Sequence, residues 1–344
     1  MGDVAARAGV SLKSVSRVVN AEQHVSADLA ERVRRAITEL GYRPDRRARD
    51  LAAAPASGRL IGYVQVDAAN LFFAAVYRGL EDTTRTRGSL IIAGSTDADP
   101  ERETALIETL IESRVDGLVI AAAEGSDELL RREIAHGTPV VCVDRLLANA
   151  PCDTVVSSNR DSTRAAVVHL RELGHARIAF LGGDQRVWTA TERLAGYREA
   201  LHNTAGELDP DLEIVDVGDV ARATQATRRL LTAQRAPTAI FTAQDRITTG
   251  TITALHELGR QYDVALFGFD EIPFSEQLNP SVSVVAQDPY EMGRRAGQLL
   301  LNRLSDRSST TPVQTVVEAT LRHRQSGQIV PLAPQPRTEG DDRC

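Results

Sequence analysis

The residues that could do chemistry gather near the N-terminus, and the chemistry they suit is recognition. Lys13 and Arg17 stand among Ser11, Ser14 and Ser16, with Leu12 beside them. Ammonium, guanidinium and hydroxyl donors at this spacing suit contacts to phosphates and base edges in a DNA major groove. They fit equally a small helical bundle with a solvated polar face. Further on, Arg46, Arg47 and Arg49 precede Leu51. A basic segment with one exposed leucine suits a minor-groove wedge, and it also suits a charged linker between domains. The sequence has no P-loop, no GxGxxG after a strand, no GxSxG and no His cluster at metal-ligand spacing. An enzyme is therefore not expected, nor a metal or organic cofactor. Cys142 lies within an apolar strand and reads as core filling.

Three short helices, expected at 2–8, 12–19 and 27–40, would position the first cluster. Val4, Ala5 and Ala8 give the first helix an apolar face. Val15, Val18 and Val19 give the second one by i, i+3, i+4 spacing. Gly9 falls where a left-handed C-cap is needed, and Ser11 is placed to cap the next helix. Small residues at 5 and 8 allow the close crossing of a helix-turn-helix. Pro44 is placed to open a further helix. Too few apolar side chains follow to bury it alone, so it is expected to fold only against DNA or a second copy. Pro55-Ala56-Ser57-Gly58 reads as a linker.

From Leu60 the pattern changes to alternating strands and helices. Strands are expected at 60–66, 90–93, 117–121, 139–144, 177–182, 213–217, 238–242 and 264–269. Helices are expected near 72–87, 101–114, 127–136, 160–173, 190–203, 221–234 and 246–258. Apolar strands in repeated βα units imply parallel sheets covered on both faces. The run 60–327 is long for one sheet, so two similar subdomains are expected. Apolar residues make up 42% of the 344 and aromatics 4%, so aliphatic side chains must fill the cores. Residues 1–54 hold 10 Lys/Arg against 7 Asp/Glu, and the remainder 30 against 40. A basic head on an acidic body suits a DNA-binding module joined to a body that does not touch DNA. Three cysteines without paired spacing argue against a disulfide framework. No apolar run approaches the ~18 residues of a membrane span, and the N-terminus lacks a signal-peptide core. A cytoplasmic protein with no membrane partner is expected, which disfavours an exported solute-binding protein.

The residues also carry a resemblance. Asp3-Val4-Ala5, Ala8-Gly9-Val10-Ser11, Val15-Ser16-Arg17-Val18-Val19-Asn20, Leu40-Gly41-Tyr42-Arg43-Pro44 and Ala48-Arg49-Asp50-Leu51 resemble the LacI/GalR (lac repressor) family of bacterial transcription regulators. The likeness continues through Val115-Asp116-Gly117, Leu173-Gly174-His175, Arg193-Leu194-Ala195-Gly196-Tyr197, Gly268-Phe269-Asp270 and Leu321-Arg322-His323-Arg324-Gln325-Ser326. It implies an α/β fold: an all-α helix-turn-helix head plus a two-subdomain, Rossmann-like core of the periplasmic-binding-protein type. The expected domains are the head at 1–43, a hinge helix and linker at 44–58, and an effector-binding and dimerisation core at 59–327. Within the core, one subdomain spans about 59–157 and 288–313, the other about 158–287 and 314–327, with crossings near 158, 287 and 313. The tail 328–344 is expected to be disordered. Its three prolines exclude a leucine-heptad tetramerisation helix, so a homodimer is expected.

The resemblance assigns Leu12, Lys13 and Arg17 to base reading, with Arg17 on guanine. Ser11, Ser14, Ser16, Asn20 and His24 match backbone-contacting positions. Leu51 matches the hinge leucine that wedges into the centre of a palindromic operator. In the core it implies that Phe72, Phe73, Asp144, Arg145, Thr189, Arg193, Gln244, Asp245, Asp270 and Gln287 bind a small-molecule effector, with a sugar or sugar derivative leading. Carboxylates, arginines and amides around aromatic surface suit a polyhydroxylated ligand. Three positions depart from the family pattern. Val220 stands where an aromatic is frequent, Ser158-Asn159 replaces Asp-Asn, and Met1 occupies the first helical position without a Ser or Thr cap. The missing cap costs about 1 kcal/mol locally, and a start a few codons upstream is the expectation. If Leu51 is a wedge, Leu51→Ala abolishes specific operator binding in a mobility-shift assay while circular dichroism shows the body still folded. Undiminished affinity would count against the wedge.

Overall fold

The computed structural model describes residues 2–19, 25–40, 59–122, 126–147, 150–202, 209–306 and 311–331. Met1, Asn20, His24, Arg46, Arg47, Arg49 and Leu51 lie outside the described residues. The chain divides into two compact units, a head up to Arg59 and a body from Leu60.

The head contains α1 (Gly2–Ala8), α2 (Leu12–Val19) and α3 (Ala27–Glu39). Val4, Ala5, Ala8, Val15, Val33 and Ala36 form its core, a small one made of short side chains. Gly9 adopts φ +63° after α1, and Val10 N–H returns to the Ala5 carbonyl at 3.0 Å. Glycine takes this left-handed turn without steric cost. Arg32 of α3 reaches back to the same helix end, donating to the carbonyls of Ala8 (2.7 Å) and Gly9 (3.2 Å). A cation at a helix C-terminus also complements the helix dipole. Ser11 Oγ accepts Ser14 N–H at 3.1 Å and so caps α2.

The body holds two six-stranded sheets. The first has the order β11-β5-β4-β3-β1-β2, and all its pairs are parallel. Its strands are β1 (Leu60–Gln65), β2 (Leu90–Ser95), β3 (Gly117–Ile120), β4 (Val140–Val143), β5 (Asp153–Ser157) and β11 (Gln314–Val317). The second has the order β12-β10-β9-β8-β6-β7, parallel except for the antiparallel β10–β12 pair. Its strands are β6 (Ile178–Leu181), β7 (Glu213–Ile214), β8 (Ala239–Thr242), β9 (Ala265–Phe269), β10 (Ser283–Ala286) and β12 (Thr320–Arg322). Helices α4 (Leu71–Arg85), α5 (Pro100–Glu112), α6 (Asp127–Ala135) and α11 (Pro289–Ser305) belong to the first lobe. Helices α7 (Asn159–Glu172), α8 (Trp188–His202), α9 (Val220–Thr232) and α10 (Asp245–Glu257) belong to the second. Each sheet has a separate apolar cluster on each face. Among the described residues no helix is long and apolar enough to cross a membrane.

Two boundaries differ from expectation. The third crossing lies at Glu318–Ala319 rather than near 313, because Gln314–Val317 pairs in register with Thr154–Ser157 and extends the first sheet. Residues 328–331, expected to belong to the disordered tail, are also held in place. His175 Nε2 donates to the Ile329 carbonyl at 2.7 Å, and Ile329 packs on the second lobe's core. Five elements beside the crossings, β5, β10, β11, β12 and α11, carry no strand or helix expectation from the sequence. The four strands are short. The glycines of α11, Gly293 and Gly297, weaken its helical pattern.

Those glycines are needed because α11 lies directly on α4. A methyl group on Gly293 would overlap the Val76 carbonyl, and one on Gly79 would overlap that of Tyr290. The clash is with backbone, which cannot rotate away. Gly293→Ala is expected to destabilise the body by about 1–3 kcal/mol, read as a fall in urea midpoint. An unchanged midpoint would show that the helices can separate freely.

Candidate functional site

All ten residues expected around the effector line one cleft of about 440 Å³ between the two lobes. They arrive from the carboxyl ends of strands in both sheets, the place where open α/β sheets bind ligands. Phe72 and Phe73 follow β1, and Asp144-Arg145 follows β4. Gln244-Asp245 follows β8, Asp270 ends β9, and Gln287 follows β10. Thr189 and Arg193 project from the first turns of α8. The cleft also includes Asp67, Asn70, Asp97, Gly218 and Arg246, which sequence reasoning missed. Each follows a strand or begins a helix, so the strand-end rule alone could have flagged them.

Arg193 is 4% exposed and surrounded by fixed partners. Its Nε donates to Asn159 Oδ1 at 2.8 Å, and its Nη1 to the Ala243 carbonyl at 2.6 Å. Its guanidinium lies 3.7 Å from the centre of the Phe269 ring, and Asp270 Oδ2 is 3.7 Å from Nη1. Gln287 Nε2 donates to the other Asp270 oxygen at 2.6 Å. Burial pushes the Asp270 carboxyl up to about 6, although Arg193 and the Gln287 hydrogen bond pull it down. Burial also raises Asp144, against the pull of Arg145 and Arg193. Asp144 and Asp270 both hold positive φ, 70° and 75°. Aspartate tolerates this left-handed region better than most side chains.

Two buried polar atoms here make no hydrogen bond: Gln287 Oε1, and Arg145 Nε, whose nearest partner is the ion-paired Asp144 Oδ2 at 3.5 Å. Orphans of this kind are costly, about 1–3 kcal/mol each. One such donor and one such acceptor on residues that line the cleft suit a hydroxyl-bearing ligand. The Phe72 and Phe73 rings meet edge to face at 5.2 Å, and both line the wall. An ion pair from Arg246 to Asp67 spans the mouth, tying the second lobe to the first. Asp67 is oriented for this by the Ala69 N–H, which its Oδ1 accepts at 2.8 Å.

Two of the three departures from the family pattern, those in the body, have structural readings. Asn159 orients Arg193, as above. Ser158 Oγ accepts the Ala319 N–H at 2.9 Å, tying the first crossing to the third. Val220 is 38% exposed at the start of α9 and does not line the cleft.

In the head, Ser11, Leu12 and Lys13 are exposed on α2, and Ser14, Ser16 and Arg17 are half-buried. Leu12 is 58% exposed.

Comparison with known proteins matches residues 1–45 to the profile described as bacterial regulatory proteins, lacI family. Residues 167–327 match a periplasmic binding protein-like domain. The chain is 30% identical over 308 residues to the HTH-type transcriptional repressor PurR of Vibrio atlanticus, covering 89% of this chain and 92% of that one. It is 32% identical over 330 residues to the ribose operon repressor of Halalkalibacterium halodurans, covering 93% and 96%. Among solved structures, the lac repressor dimer bound to operator and the anti-inducer ONPF aligns with a TM-score of 0.79 at 27% identity, covering 94% of this chain and 98% of that one.

The raised Asp270 pKa fixes a sign. An acid whose folded pKa lies above its unfolded value costs stability as pH rises through the interval between them. Asp270→Asn removes that cost. The melting temperature of the variant minus that of the wild type should therefore increase from pH 4 to pH 7 in calorimetry. A difference that falls with pH would overturn the assignment.

Proposed function

The chain belongs to the lacI family of bacterial regulatory proteins, and on that premise we propose that it represses transcription as a cytoplasmic homodimer on a palindromic operator, under control of a sugar-like effector. The observation that carries the reading is the convergence of ten side chains from both lobes on one cleft, two of them with a buried polar atom that makes no hydrogen bond. We propose no enzymatic role. In this reading Ser11, Ser14, Ser16, Asn20 and His24 hold the DNA backbone, Leu12, Lys13 and Arg17 read bases, and Leu51 enters the minor groove.

In the cleft, an uncharged polyol would give hydroxyl protons to Asp144, Asp270 and Gln287 Oε1, and accept from Arg145 and Arg193. The ring of Phe72 would cover its C–H face. Such a ligand adds ties across the same gap that Asp67 and Arg246 bridge. It therefore favours one lobe angle over another, and an effector acts only through such a difference between states. The lobe angle would set the spacing of the two hinges in the dimer and so the affinity for operator. A ribose repressor among the relatives makes D-ribose the first probe.

Two measurements test this. Lys13→Ala and Arg17→Ala should each weaken the complex with DNA upstream of the chain's own gene by about 1–3 kcal/mol at fixed salt. Full affinity in both variants would remove α2 from base reading. D-ribose, or another sugar in a panel, should raise the wild-type melting temperature by mass action and change operator affinity. Arg193→Met should abolish both responses while operator binding persists. A panel with no stabilising sugar would reject the sugar-like effector.

A further inference from the structure

Cys142 and Cys152 are both free and buried, and their sulfurs lie 3.1 Å apart. They are ten residues apart in sequence and meet because β4 and β5 are neighbours in the sheet. Cys142 is fully enclosed, whereas Cys152 is 8% exposed and lines a second cavity of about 320 Å³. This cavity is formed by the segments that precede β4 and β5, together with Arg303 and Pro312. It shares no lining residue with the effector cleft. Packing alone does not require a thiol at either position, since aliphatic side chains fill the rest of this cluster.

We propose that Cys142 and Cys152 form a reversible dithiol–disulfide pair, oxidised by small hydroperoxides that reach Cys152 through this cavity. The attacking group is the Cys152 sulfur. It takes the distal oxygen of the peroxide, the O–O bond breaks, and water or an alcohol leaves with the thiol proton. The Cys142 sulfur then attacks the sulfenic sulfur of Cys152. The S–S bond forms, the S–O bond breaks, and the hydroxyl departs as water with the Cys142 proton. Two electrons pass from the two thiols to one peroxide. The sulfurs need only close to about 2.05 Å. The contact with Cys142 holds the Cys152 thiol below its ordinary pKa, which favours the thiolate as attacking group. The same hydrogen bond, with burial, raises Cys142, suiting it to the resolving role.

The link would sit beneath the effector site. Cys142 lies in β4, which leads to Asp144 and Arg145, and Cys152 immediately precedes β5, which leads to Asn159, the residue that holds Arg193. The thiol chemistry itself does not depend on the proposed effector.

The test uses the full chain, reduced, freed of reductant and treated with a modest excess of hydrogen peroxide. Remaining thiols are then blocked with N-ethylmaleimide in denaturant. Trypsin separates Cys142 in peptide 133–145 from Cys152 in peptide 146–160. The expected product is this peptide pair joined and free of maleimide, reverting to two maleimide adducts when dithiothreitol precedes blocking. Maleimide on both cysteines after peroxide would overturn the proposal, as would sulfinate on Cys152 or a link from either to Cys344. In Cys142→Ser, dimedone should trap Cys152 as the sulfenic acid. Its absence there would overturn the assignment of Cys152 as the attacking group.

Discussion

A guanidinium stripped of water is expensive, costing several kcal/mol even after relaxation. Arg193 is such a group, and the body is arranged to keep it. Its partners come from separated parts of the chain: Asn159 at the first crossing, Ala243 after β8, and Phe269 with Asp270 at the end of β9. Asp270 in turn takes Gln287 from the second crossing. One cation therefore fixes two strand ends and two of the three crossings between the lobes. Any ligand that draws on Arg193 or Asp270 acts on that framework directly. The raised Asp270 pKa follows from the same burial, which costs stability when the carboxyl is ionised.

The head was legible residue by residue. Gly9 and Ser11 state where one helix ends and the next begins, and α1 and α2 span the expected residues. What the spacing left open, a helical bundle or a DNA reader, was decided by the likeness to known regulators and not by periodicity. The cleft was legible in a different way. Its ten expected residues came from the family resemblance, and the bare sequence supplied only the rule that ligands sit at strand ends. Asp67 and Arg246 escaped notice because their meaning lies in each other. They are 179 residues apart and meet only when the two lobes are assembled.

Two of the unassigned elements also share a distant cause. Asp153 opens β5 as a buried carboxylate, an unlikely start for a core strand. It is tolerated because Arg303, 150 residues later, donates to both of its oxygens. The glycines of α11 look like breaks until α4 is laid against them. In both cases the local signal is poor because the compensating contact is distant, and such contacts concentrate where the chain passes between lobes. The buried thiol pair belongs to the same class, since each cysteine alone reads as core filling.

The third crossing has a mechanical consequence. It leaves the first sheet from β11, which pairs with β5, and enters the second at β12, which pairs with β10. It thus runs alongside the first tether at one end and the second at the other, and Ser158 pins it to the first. Three tethers coupled in this way oppose sliding of one lobe past the other more than a turn about the line they share. Whatever disturbs the gap, from whichever side, works against the same three strands of chain.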